Sequence, residues 1–249
     1  MKITSGKLLK RIETENSYIE VRENKNYRWM SFDKEVIQTL VNKKLPHEST
    51  LGHIKELLNV FNFIKKPREI LMMGLGGGAL IHSLKYHYPE VHTTAVEISK
   101  DVIELAKEFF YLSASSNYYS LICGDIQDYL IRPRKKSDII FVDMYIDGEM
   151  PNFYYEPVFH RKVHKNLKMN GVAAYNLLCD KANEFEAIVK LVREAFEHQT
   201  LCVPVDKFHN VILYAFKSAK YKDFIYEQEQ QRSLKNLTYD IQLGLIGNL

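Results

Sequence analysis

The chain has 249 residues, enough for one full-sized hydrophobic core and a small accessory unit. With 46% hydrophobic and 26% charged residues it has the make-up of an ordinary globular protein. A net charge of +3, with one tight basic cluster at 132–136 ("RPRKK") that reads as a solvated loop, argues against a nucleic-acid binder.

Residues 1 to about 50 contain "SYIEVRENKNYRWMSFDKEVIQTLV", short alternating runs around a turn-like "ENKN". That texture predicts a small unit of β-hairpins. From residue 51 the pattern changes to helices and strands in alternation. Apolar, partly β-branched runs at 68–74, 92–97, 120–123, 138–143 and 171–178 predict strands. Segments of helical length lie at 78–87, 99–111, 125–131, 154–168 and 181–197. Continuous apolar strands between helices imply a parallel sheet covered on both faces.

The last two strands differ. "TLCVPV" (200–205) and "NVILYAF" (210–216) are joined by "DKFH", too short for a parallel crossover, so an antiparallel hairpin is expected. Five βα units closed by such a hairpin describe the Rossmann-like, seven-stranded fold of class I AdoMet-dependent methyltransferases. The predicted division is therefore a β unit over 1–50, a catalytic domain over 51–216 and a helical, then irregular, tail over 217–249 that packs on the domain or on a partner subunit.

Cys123, Cys179 and Cys202 are far apart, without metal-ligand spacing, and read as buried thiols of a reducing compartment. The first residues show no secretory signal, and no run approaches the ~18 apolar residues of a membrane span. A cytoplasmic protein without metal or membrane partner is expected.

The candidate site starts at "ILMMGLGGGAL" (70–80). Gly74, Gly76 and Ala79 satisfy G-x-G-x-x-G/A between a strand and a helix. The first glycine permits the tight turn, the second a close ligand approach, and the small third residue close helix–strand packing. Glu97 ends the next strand, near the ~20-residue offset of an acid that grips a ribose diol. Asp125 follows the third strand, where a carboxylate can accept from an adenine amino group, although it is also placed to cap the next helix. Asp143 follows the fourth strand, above the centre of the sheet. Ligands of open α/β sheets lie beyond the carboxyl ends of the strands, where all three acids fall. A sulfonium nucleoside suits these acids better than NAD, for which neither the terminal hairpin nor Asp125 speaks. Without [D/N]-P-P-Y after the fourth strand, a nucleobase is a poor acceptor.

"ILMMGLGGGAL", "TTAVEIS", "ICGDIQDYL", "DIIFVDMYIDGEMP" and "YYEPVFHRKVHKNLKMNGVAAYNLL" resemble the spermidine synthase family of aminopropyltransferases, over roughly residues 15–216. The likeness is greatest to a bacterial branch with G-L-G-G-G in the first loop. It implies that Gly74, Gly76 and Gly78 shape the pocket of decarboxylated AdoMet or AdoMet. It also implies that Glu97 binds the ribose, that Asp125 and the backbone of Ile126 hold adenine, and that Asp143 is the base toward an attacking amine. Gln38 and His53 fall near the family's nucleoside contacts. A homodimer is implied as well.

Two departures concern the amine. The family's first loop carries an acid where this chain has Gly77. The second acid of its D-S-S/T-D-P motif falls on Ile146, with Asp147 one residue later. Tyr145, Asp147, Tyr154 and Tyr155 are expected to form an acceptor wall for a cation. The leading expectation is aminopropyl transfer to a putrescine-like amine. The alternatives are methyl transfer from AdoMet to a small molecule or protein, and a nucleoside-binding module without turnover.

Overall fold

The computed structural model describes residues 6–14, 17–33, 36–49, 51–114, 116–132, 135–145, 149–178, 181–205, 209–221 and 223. Four strands open the chain: β1 (Lys7–Glu13), β2 (Tyr18–Glu23), β3 (Tyr27–Phe32) and β4 (Val36–Asn42). They pair in sequence order as an antiparallel sheet, as the alternating runs predict.

After α1 (Gly52–Leu58), the chain runs through β5 (Glu69–Met73), α2 (Ala79–His87), β6 (His92–Glu97), α3 (Lys100–Phe109), β7 (Tyr119–Cys123), α4 (Ile126–Ile131), β8 (Ser137–Val142), α5 (Pro157–Asn166), β9 (Leu167–Leu178) and α6 (Ala182–Ala195). It ends in β10 (Thr200–Pro204) and β11 (Asn210–Phe216). The large sheet has the order β10-β11-β9-β8-β5-β6-β7. The four pairings from β9 to β7 are parallel, whereas β11 runs antiparallel to both β9 and β10. The hairpin expected from "DKFH" is present, and its second strand is the one that joins the rest of the sheet.

Alternation along each strand feeds two cores. Ile70, Met72, Ile139, Phe141, Val172 and Ala174 enter one face. Leu71, Met73, Ile140, Val142, Ala173 and Tyr175 enter the other. Burial on both sides explains why these strands read as unbroken apolar runs. The small sheet is not detached from this body. Ile19, Val21, Met30 and Val41 pack against Ala79 of α2 and Val102, Leu105 and Phe110 of α3 and its end.

The helix expected over 154–168 is shorter, because Pro157 lacks an N–H and its fixed φ suits the first helical position instead. Residues Asn152–Tyr155 form a separate 3₁₀ turn before it. Cys123 is exposed at the end of β7, an edge strand, and Cys202 is half-buried, which corrects the expectation of buried thiols for these two. Cys179 and the tail beyond residue 223 lie outside the described residues.

Candidate active site

The strand tips of the large sheet are tied side by side past their ends. Gly74 N donates to Val96 O (2.9 Å), Asp143 N to Met73 O (3.1 Å) and Gly124 N to Glu97 O (2.9 Å). This ladder brings the turns after β5, β6, β7 and β8 to one rim. A cavity of about 530 Å³ opens there, and Gly74, Gly76, Glu97, Asp125, Ile126 and Asp143 all line it. Three acids from separate stretches of sequence thus meet around one space, as their positions at the strand ends predict.

Glu97 braces the glycine turn. Its Oε2 accepts from Leu75 N (3.0 Å) and its Oε1 from Ser99 N (2.9 Å). Burial pushes the carboxyl pKa up, while backbone N–H donors from Ser99, Leu75, Ile98 and Gly76 pull against that shift. Each carboxylate oxygen can accept more than one hydrogen bond, so the group can hold the turn and still receive a diol.

Asp125 takes one of its two anticipated roles, that of a helix cap. Its Oδ1 caps α4 by accepting from Gln127 N (2.7 Å). Among the described residues its second oxygen has no donor, and the side chain is exposed to the cavity. Asp143 sits one residue beyond β8, where its Oδ1 accepts from Asn176 Nδ2 (2.8 Å). His53, from α1, shares the cavity wall. Burial lowers the imidazole pKa, and the nearby Asp143 carboxylate draws it partly back.

The turn needs its glycines for their conformation, as expected of the first, and for a second reason as well. Gly74, Gly76 and Gly78 have φ of +88°, +52° and +78°, a region that disfavours side chains. A Cβ at Gly74 would overlap the Asp143 carbonyl, and one at Gly76 would stand 2.7 Å from Thr39 Oγ1. The bare backbone thus admits the protein's own neighbours. Gly78 does not line the cavity at all: it caps α2 and packs on Leu112, which corrects its assignment to the nucleoside pocket. Gly77, where the resembled family carries an acid, is buried under Thr39 and Phe110, and its N–H donates to Thr39 Oγ1 (2.7 Å).

The expected acceptor wall is only partly there. Tyr145 lines the cavity and donates from Oη to Asn176 O (3.0 Å). Tyr154 is fully buried beneath the rim, with Met144 N pointing at its Oη (3.4 Å), and Tyr155 faces outward toward Glu184 (3.4 Å). Neither reaches the cavity, because the 3₁₀ turn at Asn152–Tyr155 rotates Pro151 and Phe153 into that place. Asp147 lies outside the described residues. Gln38 lines the cavity from β4, as expected.

Sequence reasoning passed over Thr39, Asn176 and Asn210, all of which line the cavity. Asn176 did leave a signal: it is the polar member of "GVAAYNLL", a run otherwise buried and apolar. A buried amide needs hydrogen-bond partners, and such a residue in a core strand points to a polar site. Thr39 gave no such sign, since threonine is ordinary in a strand. Among the described residues no group of three or more His, Cys, Asp or Glu side chains is placed to hold a metal ion.

Comparison with known proteins places these features in context. The sequence model of the spermine/spermidine synthase domain matches residues 47–224. The polyamine aminopropyltransferase of Neisseria meningitidis serogroup A is 25% identical over 203 residues, covering 81% of this chain and 76% of that protein. Among solved structures, a spermidine synthase in complex with the transition-state analogue AdoDATO superposes with a TM-score of 0.69 at 15% identity, over 84% of this chain and 73% of the other. Human methyltransferase-like protein 13 in complex with SAH does so with a TM-score of 0.61 at 24% identity, over 66% and 82%. At these identities the structural likeness establishes the fold.

Proposed function

Because the chain belongs to the spermine/spermidine synthase family, we propose that it moves an aminopropyl group from decarboxylated AdoMet to a small, putrescine-like amine. The observation that carries the site assignment is the convergence of Glu97, Asp125 and Asp143 on one cavity. In this reading Glu97 receives the ribose hydroxyls, and Asp125 and the Ile126 backbone receive adenine. Gly74 and Gly76 shape the floor beneath the sulfonium, with Gln38 and His53 on the facing wall. A homodimer in the cytoplasm belongs to the same proposal and rests on the family; no described helix is long and apolar enough to cross a membrane.

The sulfonium carbon is already electrophilic, so no covalent catalyst is required. The acceptor nitrogen attacks the aminopropyl methylene attached to sulfur, the C–S bond breaks, and its electron pair stays on sulfur as the neutral thioether methylthioadenosine. The protein's first contribution is alignment, which supplies up to roughly 7–11 kcal/mol in favourable cases. The second concerns the proton. An alkyl amine of lysine-like pKa, about 10.4, is neutral in only about one molecule in 2,500 at pH 7, a penalty of about 4.6 kcal/mol. Asp143 offsets part of it by accepting the amine's proton through a hydrogen bond as the nitrogen attacks.

The test is Asp143→Asn, assayed with putrescine and decarboxylated AdoMet for release of methylthioadenosine. Turnover is expected to fall at least tenfold with donor affinity nearly unchanged; loss of donor binding instead would make Asp143 a structural residue. One observation favours the second reading, methyl transfer from AdoMet: Gly77 is packed under Thr39 and Phe110, with no room for an acid that would hold an aminopropyl ammonium. Production of adenosylhomocysteine from AdoMet, without methylthioadenosine from the decarboxylated donor, would select that reading.

A further inference from the structure

Asp143, Asn176 and Asn210 come from three neighbouring strands. Parallel pairing of Val142 with Tyr175 sets residue 176 beside residue 143. Antiparallel pairing of Asn210 with Leu178 and of Ile212 with Asn176 brings residue 210 within side-chain reach of residue 176. Asn176 is 2% exposed and has Tyr175 and Leu177, both wholly buried, on either side. Its Nδ2 donates to Asp143 Oδ1 (2.8 Å) and its Oδ1 accepts from Asn210 Nδ2 (2.9 Å). The Asn176 backbone carbonyl accepts from Tyr145 Oη (3.0 Å), which ties the segment after Asp143 to the same residue.

We propose that Asn176 and Asn210 are positioning residues: a two-amide relay that holds one oxygen of Asp143 and leaves the other for the acceptor amine. This rests on the assignment of Asp143 as the proton acceptor. The Asp143 carboxylate sets the direction of the relay. It can only accept, so the Asn176 amide must turn its nitrogen toward the carboxylate and its oxygen toward Asn210, which then donates. The reversed amide would set oxygen against oxygen and leave a buried acceptor unpaired. A neutral donor also suits the chemistry. A lysine in place of Asn176 would hold the carboxylate equally well, but it would neutralise the group and repel a cationic substrate.

The test compares single-turnover methylthioadenosine release, and donor affinity by calorimetry, in the wild type, Asn210→Leu, Asn210→Gln, Asp143→Asn and the double variant Asp143→Asn/Asn210→Leu. Asn210→Leu is expected to lower the rate about fivefold or more while donor affinity stays within about twofold. Asn210→Gln, which keeps an N–H donor, recovers part of the rate. In the Asp143→Asn background, Asn210→Leu adds no further loss, since the relay then has no carboxylate to hold. Should leucine unfold the strand pair, Asn210→Ser, too short to reach Asn176, takes its place. A wild-type rate in Asn210→Leu, or an equal loss with and without the Asp143 carboxylate, overturns the relay. Full turnover by Asp143→Asn overturns it differently, by removing the base on which it depends.

Discussion

Restoring the family's acid at residue 77 is the obvious way to strengthen amine binding, and the packing around Gly77 says that it fails. Gly77 is buried, and a Cβ built on it lies 2.6 Å from Thr39 Cγ2 and 3.0 Å from Phe110 Cδ1 and Cγ. Its backbone is unstrained, so the penalty is one of contact alone. Overpacking of this kind typically costs about 1–3 kcal/mol. If Thr39 rotates away to relieve it, the Gly77 N–H loses its acceptor at 2.7 Å, another ~1–3 kcal/mol for a buried donor left unpaired. Gly77→Asp should therefore lose about 2–6 kcal/mol, a large part of the ~5–15 kcal/mol that holds a domain together. At about 2–4 °C per kcal/mol for a chain of this size, the melting temperature falls by roughly 5–20 °C. Gly77→Ala isolates the steric part, and Thr39→Ala/Gly77→Asp should be less destabilised than the two single losses added. Urea melts of the wild type, Gly77→Ala, Gly77→Asp, Thr39→Ala and the double variant, with calorimetric titration of decarboxylated AdoMet, decide the matter. Wild-type stability in Gly77→Ala, or tighter donor binding by a fully stable Gly77→Asp, would refute the reasoning.

The acid stability of the protein should depend on a histidine outside the cavity. His160 is wholly buried, its Nε2 donates to Tyr154 O (2.8 Å), and burial holds its pKa at about 4 instead of 6.5. The unfolded chain then binds the proton first, so this contribution is complete above pH 6.5 and is lost as pH falls toward 4, by on the order of 3 kcal/mol. His53, His82 and His164 are lowered as well and act in the same direction, whereas the raised Glu97 opposes them just above pH 4.5. His160→Gln should flatten the fall in denaturant midpoint between pH 6.5 and 4; an unchanged slope would exclude His160 as its source. At the nucleoside end, Glu97→Gln should weaken methylthioadenosine binding by roughly ten- to a hundredfold, the scale of a hydrogen bond to a charged group, as read by calorimetry. Tyr155→Ala should change the acceptor KM by less than about twofold, because its hydroxyl faces Glu184; a tenfold rise would restore it to the acceptor wall.

The parts of the fold legible in the sequence were those set by local pattern. Strands such as "ILMM" and "IIFV" are buried on both faces and so read as unbroken apolar runs, and the four-residue "DKFH" forced the final turn to be a hairpin. Acids at strand ends could be located for the same reason, since a parallel sheet delivers every such end to one rim. Side-chain direction was not legible. Pro157 divided an expected helix, and the turn before it sent Tyr154 inward and Tyr155 outward, an outcome fixed by one 3₁₀ turn rather than by composition. Nor did the glycines announce what fills the space they leave. A missing side chain looks the same in sequence whether the visitor is a ligand or, as at residues 76 and 77, a threonine from a strand more than thirty positions away.

That threonine makes the small sheet inseparable from the nucleotide fold it leans on. A fragment cut to begin at α1 would keep every acid of the site and every strand of the large sheet, yet it would strip Thr39 from the Gly77 amide and uncover Ala79, Val102 and Phe110. Water would enter where β4 had stood, and the pocket would become an open ledge with its carboxylates hydrated. The shortest enzyme that can be carved from this sequence must therefore keep its opening hairpins.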